Sequence, residues 1–380
     1  MRRFLTYYCL GVFIATFVAG VFAVVLYRVG EIDIEHVIRQ QAVSDNHILF
    51  ASGINHDFYS AKLAIYNDIH PSAIVIGSSR GLEFRRAFFK TSFVNMGGCV
   101  SSVAHFERLV SDIEAIKERP KLAIVVLDFW WFNEHIVSDV SDYQPSSFPR
   151  YPTISLCGYA IATMASSHNW PSAFVIPKDR LGLMGVLSNA GFDRYGSFYY
   201  VSTITGEIHS KDEQFKETES AFAKGEGRFA PGATASEVLI DRFTRAAFRL
   251  RDLGVHFVAV MPPVAPPITN LINKSGRYAY IPDLRMKLAT RGIELLDYSD
   301  AHALASNDLC AEFLDGFHGG DVIYARIANE VAKSDVYSAA FIDFRYLQRF
   351  IASNSGRAEG DNRFDRNHTE VDFLKLGVLK

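Results

Sequence analysis

Short apolar segments that alternate with amphipathic ones constrain the fold of this chain more than any other feature. The segments are Ala73–Ile76, Phe93–Asn95, Leu122–Leu127, Val255–Val260 and, more weakly, Ile293–Leu296. Unbroken apolar runs of this length are typical of strands buried on both faces. Helical spacing of apolar residues precedes the third segment (Val103, Phe106, Val110, Ile113) and the fourth (Leu239, Phe243, Ala247, Leu250). The alternation predicts an α/β fold, a three-layer sandwich with a central parallel sheet.

A second constraint is the run from Phe4 through Tyr27, 24 residues without a charge. A helix of that length spans the roughly 30 Å hydrocarbon core of a bilayer. Because Arg2 and Arg3 precede the run, we expect a cytoplasmic N-terminus and one crossing, with the rest of the chain exported and outside the bilayer. The alternative is a signal peptide cleaved after Val21-Phe22-Ala23.

Composition excludes other classes of protein. The chain is 49% hydrophobic and 13% aromatic, which is enough for a substantial core and excludes disorder for most of its length. A net charge of −3 offers no electrostatic footprint for nucleic acid. The histidines and cysteines lack zinc-type spacing, so we expect no metal and no cofactor. Outside the apolar run, Cys99, Cys157 and Cys310 are either small buried hydrophobes or one disulfide with a free thiol.

The pattern predicts the following organisation. Residues 1–30 form the transmembrane anchor, 31–70 a juxtamembrane helical region, 71–335 the main α/β domain and 336–380 a C-terminal tail. Within the domain, residues 136–234 interrupt the alternation and form either a lid or binding region, or a subdomain without a role at the site. The polar stretch 353–362 in the tail is expected to be mobile.

Parallel sheets gather functional residues at the carboxyl ends of their strands. The first strand ends at Gly77-Ser78-Ser79-Arg80, where a serine at a strand-to-helix turn gains an exposed hydroxyl and nearby N–H groups. That position suits a nucleophile, and it also suits an ordinary helix cap. Far along the chain, Asp315 and His318 have the Asp-x-x-His spacing, in which a carboxylate fixes the imidazole tautomer needed to accept a proton.

Taken together, these blocks resemble the SGNH, or GDSL-like, serine hydrolases from about Ala73 to Ala332. The resemblance implies that Ser79 is the nucleophile, that His318 and Asp315 complete its triad, and that the N–H groups of Ser79 and Gly97 form the oxyanion hole. The opening block has Ser78 where the family has aspartate. This Gly-Ser-Ser variant is similar to membrane-anchored members in cell-envelope acylation, such as the D-alanylation protein of teichoic acids and the alginate acetylation proteins.

The block after the third strand departs further from the family. The family has Gly-x-Asn-Asp there and uses the asparagine in the oxyanion hole, whereas this chain reads Leu127-Asp128-Phe129-Trp130-Trp131-Phe132-Asn133. Asn133 is the candidate replacement. Trp130 and Trp131 either stack on a sugar ring or belong to the core. Arg80 either binds a substrate carboxylate or phosphate or packs structurally.

The resemblance implies a single-pass membrane protein whose extracytoplasmic domain acts on an O-acyl group, with acetyl expected, on an envelope or exported polysaccharide. The substrate partner is then an acylated glycan, and a membrane-bound O-acyltransferase is a candidate protein partner. The alternative function is a non-catalytic scaffold of the same fold that holds such an acyltransferase. A nucleotide-binding α/β protein is a weaker alternative, since no Gly-x-x-x-x-Gly-Lys or dinucleotide fingerprint is present.

Overall fold

The computed structural model describes residues 1–44, 47–55, 58–135, 145–167, 169–304, 309–365 and 367–377. The helices are α1 (Arg2–Val29), α2 (Ile34–Val43), α3 (Tyr59–Ile69), α4 (Val103–Ala115), α5 (Ile154–Ala165), α6 (Leu183–Ser188), α7 (Val201–Ile204), α8 (Lys216–Lys224), α9 (Glu237–Asp252), α10 (Pro266–Ser275), α11 (Tyr280–Thr290), α12 (Asp321–Ser334), α13 (Val336–Ala339) and α14 (Phe344–Asn354). The strands are β1 (Leu49–Phe50), β2 (Ala73–Gly77), β3 (Phe93–Gly97), β4 (Leu122–Val126), β5 (Arg180–Leu181), β6 (Gly191–Phe192), β7 (Phe198–Tyr199), β8 (His256–Met261) and β9 (Leu295–Asp297).

The chain forms two compact units. Unit 1 contains Met1–Ala64, Ser146–Arg194 and Phe198–Tyr200, and unit 2 contains Ile65–Pro145, Tyr195–Ser197 and Val201–Lys380. The predicted division into an anchor, a juxtamembrane region and an insertion differs from this arrangement. Residues 146–194 of the predicted insertion share unit 1 with the N-terminal 64 residues, and residues 201–234 belong to unit 2. Residues 136–144 and 168 of the predicted insertion lie outside the described residues.

Unit 2 contains the central sheet that the apolar segments predict. Its five strands run in the order β3-β2-β4-β8-β9, and every pairing is parallel. All residues of β2, β3 and β4 are buried, as expected of strands covered on both faces. The prediction of a mixed α/β fold around a central parallel sheet is therefore confirmed, with strand ends shifted by one or two residues.

Local signals explain the two predicted helices beside the sheet. Ser102 caps α4 by accepting a hydrogen bond from the His105 amide, and Ser236 caps α9 in the same way from Leu239. After α9 the chain turns at Gly254, whose φ of 82° is readily adopted by glycine. Helices α4 and α9 pack against each other through Phe106 and Phe243, whose ring centroids lie 4.9 Å apart.

The C-terminal segment is packed within unit 2. Residues 353–362 therefore differ from the mobile stretch that their composition predicts. Glu359 is buried and accepts a hydrogen bond from Arg85, and the Asp321 carboxylate accepts the amide N–H groups of Gly360 and Asp361. Helix α12 begins at Asp321. The polar groups of this stretch make buried hydrogen bonds. Composition alone does not distinguish polar groups that bond inside the protein from polar groups that face water.

Unit 1 contains a second, small sheet in the order β5-β1-β6-β7. Because β1 pairs with β5 and β6, residues 49–50 are bound to residues far along the chain. The buried Glu31 carboxylate reinforces this link by accepting hydrogen bonds from the Ser52 hydroxyl and the Gly53 and Leu183 amides. Burial raises the pKa of Glu31, and these hydrogen bonds oppose the rise. The juxtamembrane region is thus partly helical, in α2 and α3, and partly sheet.

Helix α1 is long and apolar enough to cross a membrane. Side chains from Phe4 to Phe17 point outward along most of its length, whereas Val25, Leu26 and Val29 are buried within unit 1. Among the described residues all four cysteines are free, with Cys99 and Cys157 buried.

Candidate active site

Ser79 lies at the carboxyl end of β2, on the short 3-10 helix Ser79–Gly81. Ser78 caps this turn, with its hydroxyl oxygen accepting a hydrogen bond from the Arg80 amide at 3.2 Å. Ser78 is buried, whereas Ser79 is only partly buried. The Ser78 side chain therefore faces the interior, whereas Ser79 is partly accessible to solvent.

Ser79, His318 and Asp315 form one chain of hydrogen bonds. The Ser79 Oγ lies 2.8 Å from His318 Nε2, and His318 Nδ1 lies 2.7 Å from Asp315 Oδ2. Ser79 and His318 are 239 residues apart in sequence. The structure thus brings together the three residues predicted as a triad, with each imidazole nitrogen facing the partner that general-base chemistry requires. Their catalytic role stays a prediction.

The second oxygen of Asp315 fixes the geometry of its own loop. Asp315 Oδ1 accepts the amide N–H groups of Phe317 and His318 at 2.9 and 2.7 Å. Burial acts to raise the pKa of Asp315, but the neighbouring His318 and these hydrogen bonds hold the pKa below its ordinary value. The carboxylate is therefore ionised at neutral pH and able to stabilise an imidazolium.

Asp212 supports residues 315–318, which we call the histidine loop. The sequence analysis did not identify Asp212 as a residue of the site. This buried carboxylate accepts the Gly316 amide N–H at 2.7 Å and the Thr218 hydroxyl at 2.6 Å. A Cβ on Gly316 would lie 2.4 Å from Thr218, so the loop needs glycine there. Residues 201–234 were predicted as part of a lid or subdomain, yet this portion positions the loop of His318. No local pattern marks an aspartate that acts 104 residues away.

Gly97 differs from its predicted role as an oxyanion donor. Its amide N–H already donates to Asn95 Oδ1 at 2.7 Å. The Asn95 amide group also donates to the carbonyl oxygens of Gly81, Leu82 and Phe84, which fastens β3 to the turn that follows Ser79. A Cβ on Gly97 would lie 2.7 Å from Asn95 Oδ1 and 2.7 Å from the Gly81 carbonyl carbon. Glycine is required at position 97 because the backbone of residues 81–82 lies so close. Of the two predicted oxyanion donors, only the Ser79 amide is then not bonded to Asn95.

Of the two alternatives for Arg80, the position of its side chain agrees with structural packing and not with binding of a substrate anion. Its side chain is fully buried and bonds Asp128 at 3.1 Å, the carbonyl of Phe317 at 2.9 Å and the carbonyl of Pro262 at 2.8 Å. Asp128 follows β4, Pro262 follows β8, and Phe317 lies in the loop between Asp315 and His318. Burial raises the pKa of Asp128, and the facing guanidinium opposes the rise. Arg80 therefore holds together the strand ends on which the site is built.

The residues after β4 are also interior. Trp130 and Trp131 are 4% and 1% exposed, and Trp130 packs edge-on against Phe229 and Phe317. Asn133 is fully buried and donates to the Ala230 carbonyl at 2.7 Å while accepting the His135 amide. The predictions that these three side chains contact substrate, and that Asn133 supplies an oxyanion donor, are not supported by these positions.

Comparison with known proteins leaves the geometry as the basis for assigning a function. No family model, no curated protein and no solved structure matches this chain.

Proposed function

We propose that unit 2 is a serine esterase or O-acyltransferase that removes or moves an O-acyl group on an envelope or exported polysaccharide. The observation that carries the proposal is the contact of 2.8 Å between Ser79 Oγ and His318 Nε2, with Asp315 on the opposite side of the ring. A half-buried serine at the carboxyl end of a parallel strand is where an acyl group can reach a nucleophile. The resemblance to SGNH hydrolases, and to their three-layer fold, agrees with this proposal.

The proposed reaction uses the three side chains in turn. Ser79 Oγ attacks the ester carbonyl and transfers its proton to His318 Nε2, and Asp315 stabilises the imidazolium. The Ser79 amide N–H donates to the oxyanion. His318 then gives the proton to the departing alkoxide, which leaves an acyl-serine ester. Water or a sugar hydroxyl attacks that ester and loses its proton to His318. His318 then returns this proton to the departing Ser79 Oγ, which regenerates the free serine and the neutral imidazole.

The substrate class rests on the membrane segment and on the resemblance. Helix α1 is apolar enough to cross a membrane, and Arg2 and Arg3 before it favour a cytoplasmic N-terminus. The folded part of the chain is then extracytoplasmic, in the periplasm or outside the cell, where acylated glycans are available. An O-acyltransferase within the membrane is the protein partner that would supply acyl groups.

Labelling with a fluorophosphonate tests the reactive serine directly. The purified full chain is incubated with the probe, and the labelled peptide is identified by mass spectrometry. We expect the label on Ser79, no label on Ser79→Ala, and a measurable part of the label on Ser78→Ala. Equal loss in both variants, or label on neither serine of the native chain, would contradict the proposed nucleophile.

One observation favours a second candidate, a non-catalytic scaffold that holds an acyltransferase. The Gly97 amide is bonded to Asn95 and the Asn133 side chain is bonded to the 230–231 backbone, so two expected oxyanion donors are engaged elsewhere. A site with one donor loses part of the stabilisation that acyl transfer needs. A chain that binds acylated glycan but takes no fluorophosphonate would support the scaffold.

A further inference from the structure

Helix α5 and the 3-10 turn Trp170–Ala173 belong to unit 1 and lie beside α1. Cys157 on α5 approaches the Ala19 carbonyl with its sulfur at 3.6 Å, and Phe22 of α1 contacts Phe174 at a ring-centroid distance of 6.3 Å. Cys157, Ala160 and Met164 share one apolar cluster with Val25 and Leu26. The contacts reach well into the uncharged run of α1.

These contacts fix the depth of α5 if α1 spans a bilayer, the premise on which the inference rests. At 1.5 Å per residue, Ala19 lies about 13 Å below Arg28 along the helix axis, and Phe22 about 9 Å below it. Lipid that ended below Ala19 would leave only Phe4–Val18, about 22 Å of helix, against a hydrocarbon core of roughly 30 Å. Lipid must therefore reach the level of α5.

The sequence of this segment suits that depth. Between Arg150 and Lys178 the chain carries no aspartate, glutamate, lysine or arginine. This second uncharged stretch disagrees with the expectation that everything after Arg28 lies outside the bilayer. Large apolar side chains there face outward, with Ile154 86%, Trp170 52% and Val175 79% exposed. So many outward apolar groups in one stretch indicate a surface that is covered in the cell.

A groove between α1 and this segment has the chemistry of a lipid site. Val21, Val24 and Phe174 line its walls, Arg28 lies among its lining residues, and its volume is about 460 Å³. Apolar walls suit an acyl chain, and a guanidinium at the end of the apolar run suits an anionic headgroup. Trp170 and Tyr159 are of the types enriched at the membrane interface.

We propose that residues 151–167 and 169–177 are embedded, without crossing, in the membrane leaflet next to Arg28, with their apolar face against lipid. The bilayer then holds unit 1 by two elements, α1 and the α5 segment. A lipid acyl chain occupies the groove beside Phe174.

Quenching of tryptophan fluorescence by brominated lipid tests the proposal on the full chain in vesicles. Trp130 and Trp131 are buried in unit 2, which leaves Trp170 as the exposed tryptophan. We expect phosphatidylcholine brominated at carbons 6 and 7 to quench part of the emission, and we expect Trp170→Phe to abolish that part. Unquenched emission from a chain that resists carbonate extraction would overturn the embedded segment and leave the α1 anchor standing. Extraction by carbonate would overturn both.

Photocrosslinking in native membranes identifies what covers the surface. A benzophenone amino acid at Val175 should give a lipid adduct, detected by mass spectrometry. Val43 ends α2, is 83% exposed and lies outside the apolar cluster, so a benzophenone there should give none. Exposed Gly158, Ala162 and Ala165 on α5 could instead pack against a helix of another protein. A discrete protein adduct at Val175 would therefore overturn lipid as the occupant.

Discussion

The carboxyl ends of β2 and β4 are built alike but do different things. Each strand is followed after one or two residues by a 3-10 turn, Ser79–Gly81 after β2 and Phe129–Phe132 after β4. The β2 turn presents Ser79 to His318, whereas the β4 turn buries Trp130 and Trp131. The same backbone device at the same edge of the sheet thus places a partly buried serine beside a histidine in one case and forms core in the other. What differs is the set of neighbours each turn meets.

The largest expected effect comes from removing the histidine that the β2 turn meets. His318→Ala should lower kcat/KM for p-nitrophenyl acetate by roughly 10⁴-fold or more, about as far as Ser79→Ala, because groups that act as a unit fail together. The matched control is His256→Ala, since His256 also pairs with an aspartate, Asp335, at 2.7 Å. If His318→Ala is as active as the wild type, the proposed triad is contradicted and the scaffold function is favoured.

Removal of Asp315 should cost less than removal of His318. In a well-studied protease the corresponding loss is milder by roughly 100-fold. Since the pKa of Asp315 is held low, its carboxylate stays charged from pH 6 upward, and its deletion removes that charge throughout. We expect Asp315→Ala to recover relative activity as pH rises to about 10, where hydroxide shares the work of the base.

The orienting role proposed for Asp315 is contradicted if the ratio of variant to wild-type activity does not change with pH. It also fails if Asp315→Ala is as inactive as His318→Ala at every pH. Asp335→Ala is the control for loss of an aspartate that pairs with histidine outside the site.

Arg80 joins the two turns, so its loss should affect stability more than substrate binding. Arg80→Met leaves Asp128 buried without its cation and should cost about 3–5 kcal/mol in the free energy of unfolding, measured by urea denaturation. Asp128→Leu in the same chain should restore part of that loss. Arg86→Met is the control, since Arg86 is only partly buried and bonds the Phe89 carbonyl. A stable Arg80→Met protein with a raised KM would show a substrate-binding arginine after all.

The smallest effect is expected at the β4 turn itself. Trp130→Phe should lower the free energy of unfolding by about 1–2 kcal/mol, since a buried ring shrinks but stays aromatic. KM for an acetylated oligosaccharide should stay unchanged, because the indole faces Phe229 and Phe317 and is 4% exposed. A severalfold rise in KM with unchanged stability would instead indicate stacking on a sugar.

Local sequence signals predicted the sheet of unit 2 because β2, β3 and β4 are fully buried, β8 is buried except at its first residue, and all four read as apolar runs. Strand β9 is only partly buried, and its segment gave the weakest signal. The strands of unit 1 are two residues each, too short for any periodicity to appear. At the site, the serine and the Asp-x-x-His pair could be found because chemistry restricts their residue types. The roles of Arg80, Asn95 and Asp212 could not, because each depends on partners brought close only by the complete fold.

The reach of Arg80 along the chain has a consequence for synthesis. Its partners lie 48, 182 and 237 residues further on, at Asp128, Pro262 and Phe317. Ser79 itself meets His318 only 239 residues further along the chain. A chain emerging from the ribosome therefore carries Ser79 as an ordinary alcohol until more than three quarters of the polypeptide exists. If Ser79 is the proposed nucleophile, products truncated before His318 should carry the serine yet take no fluorophosphonate.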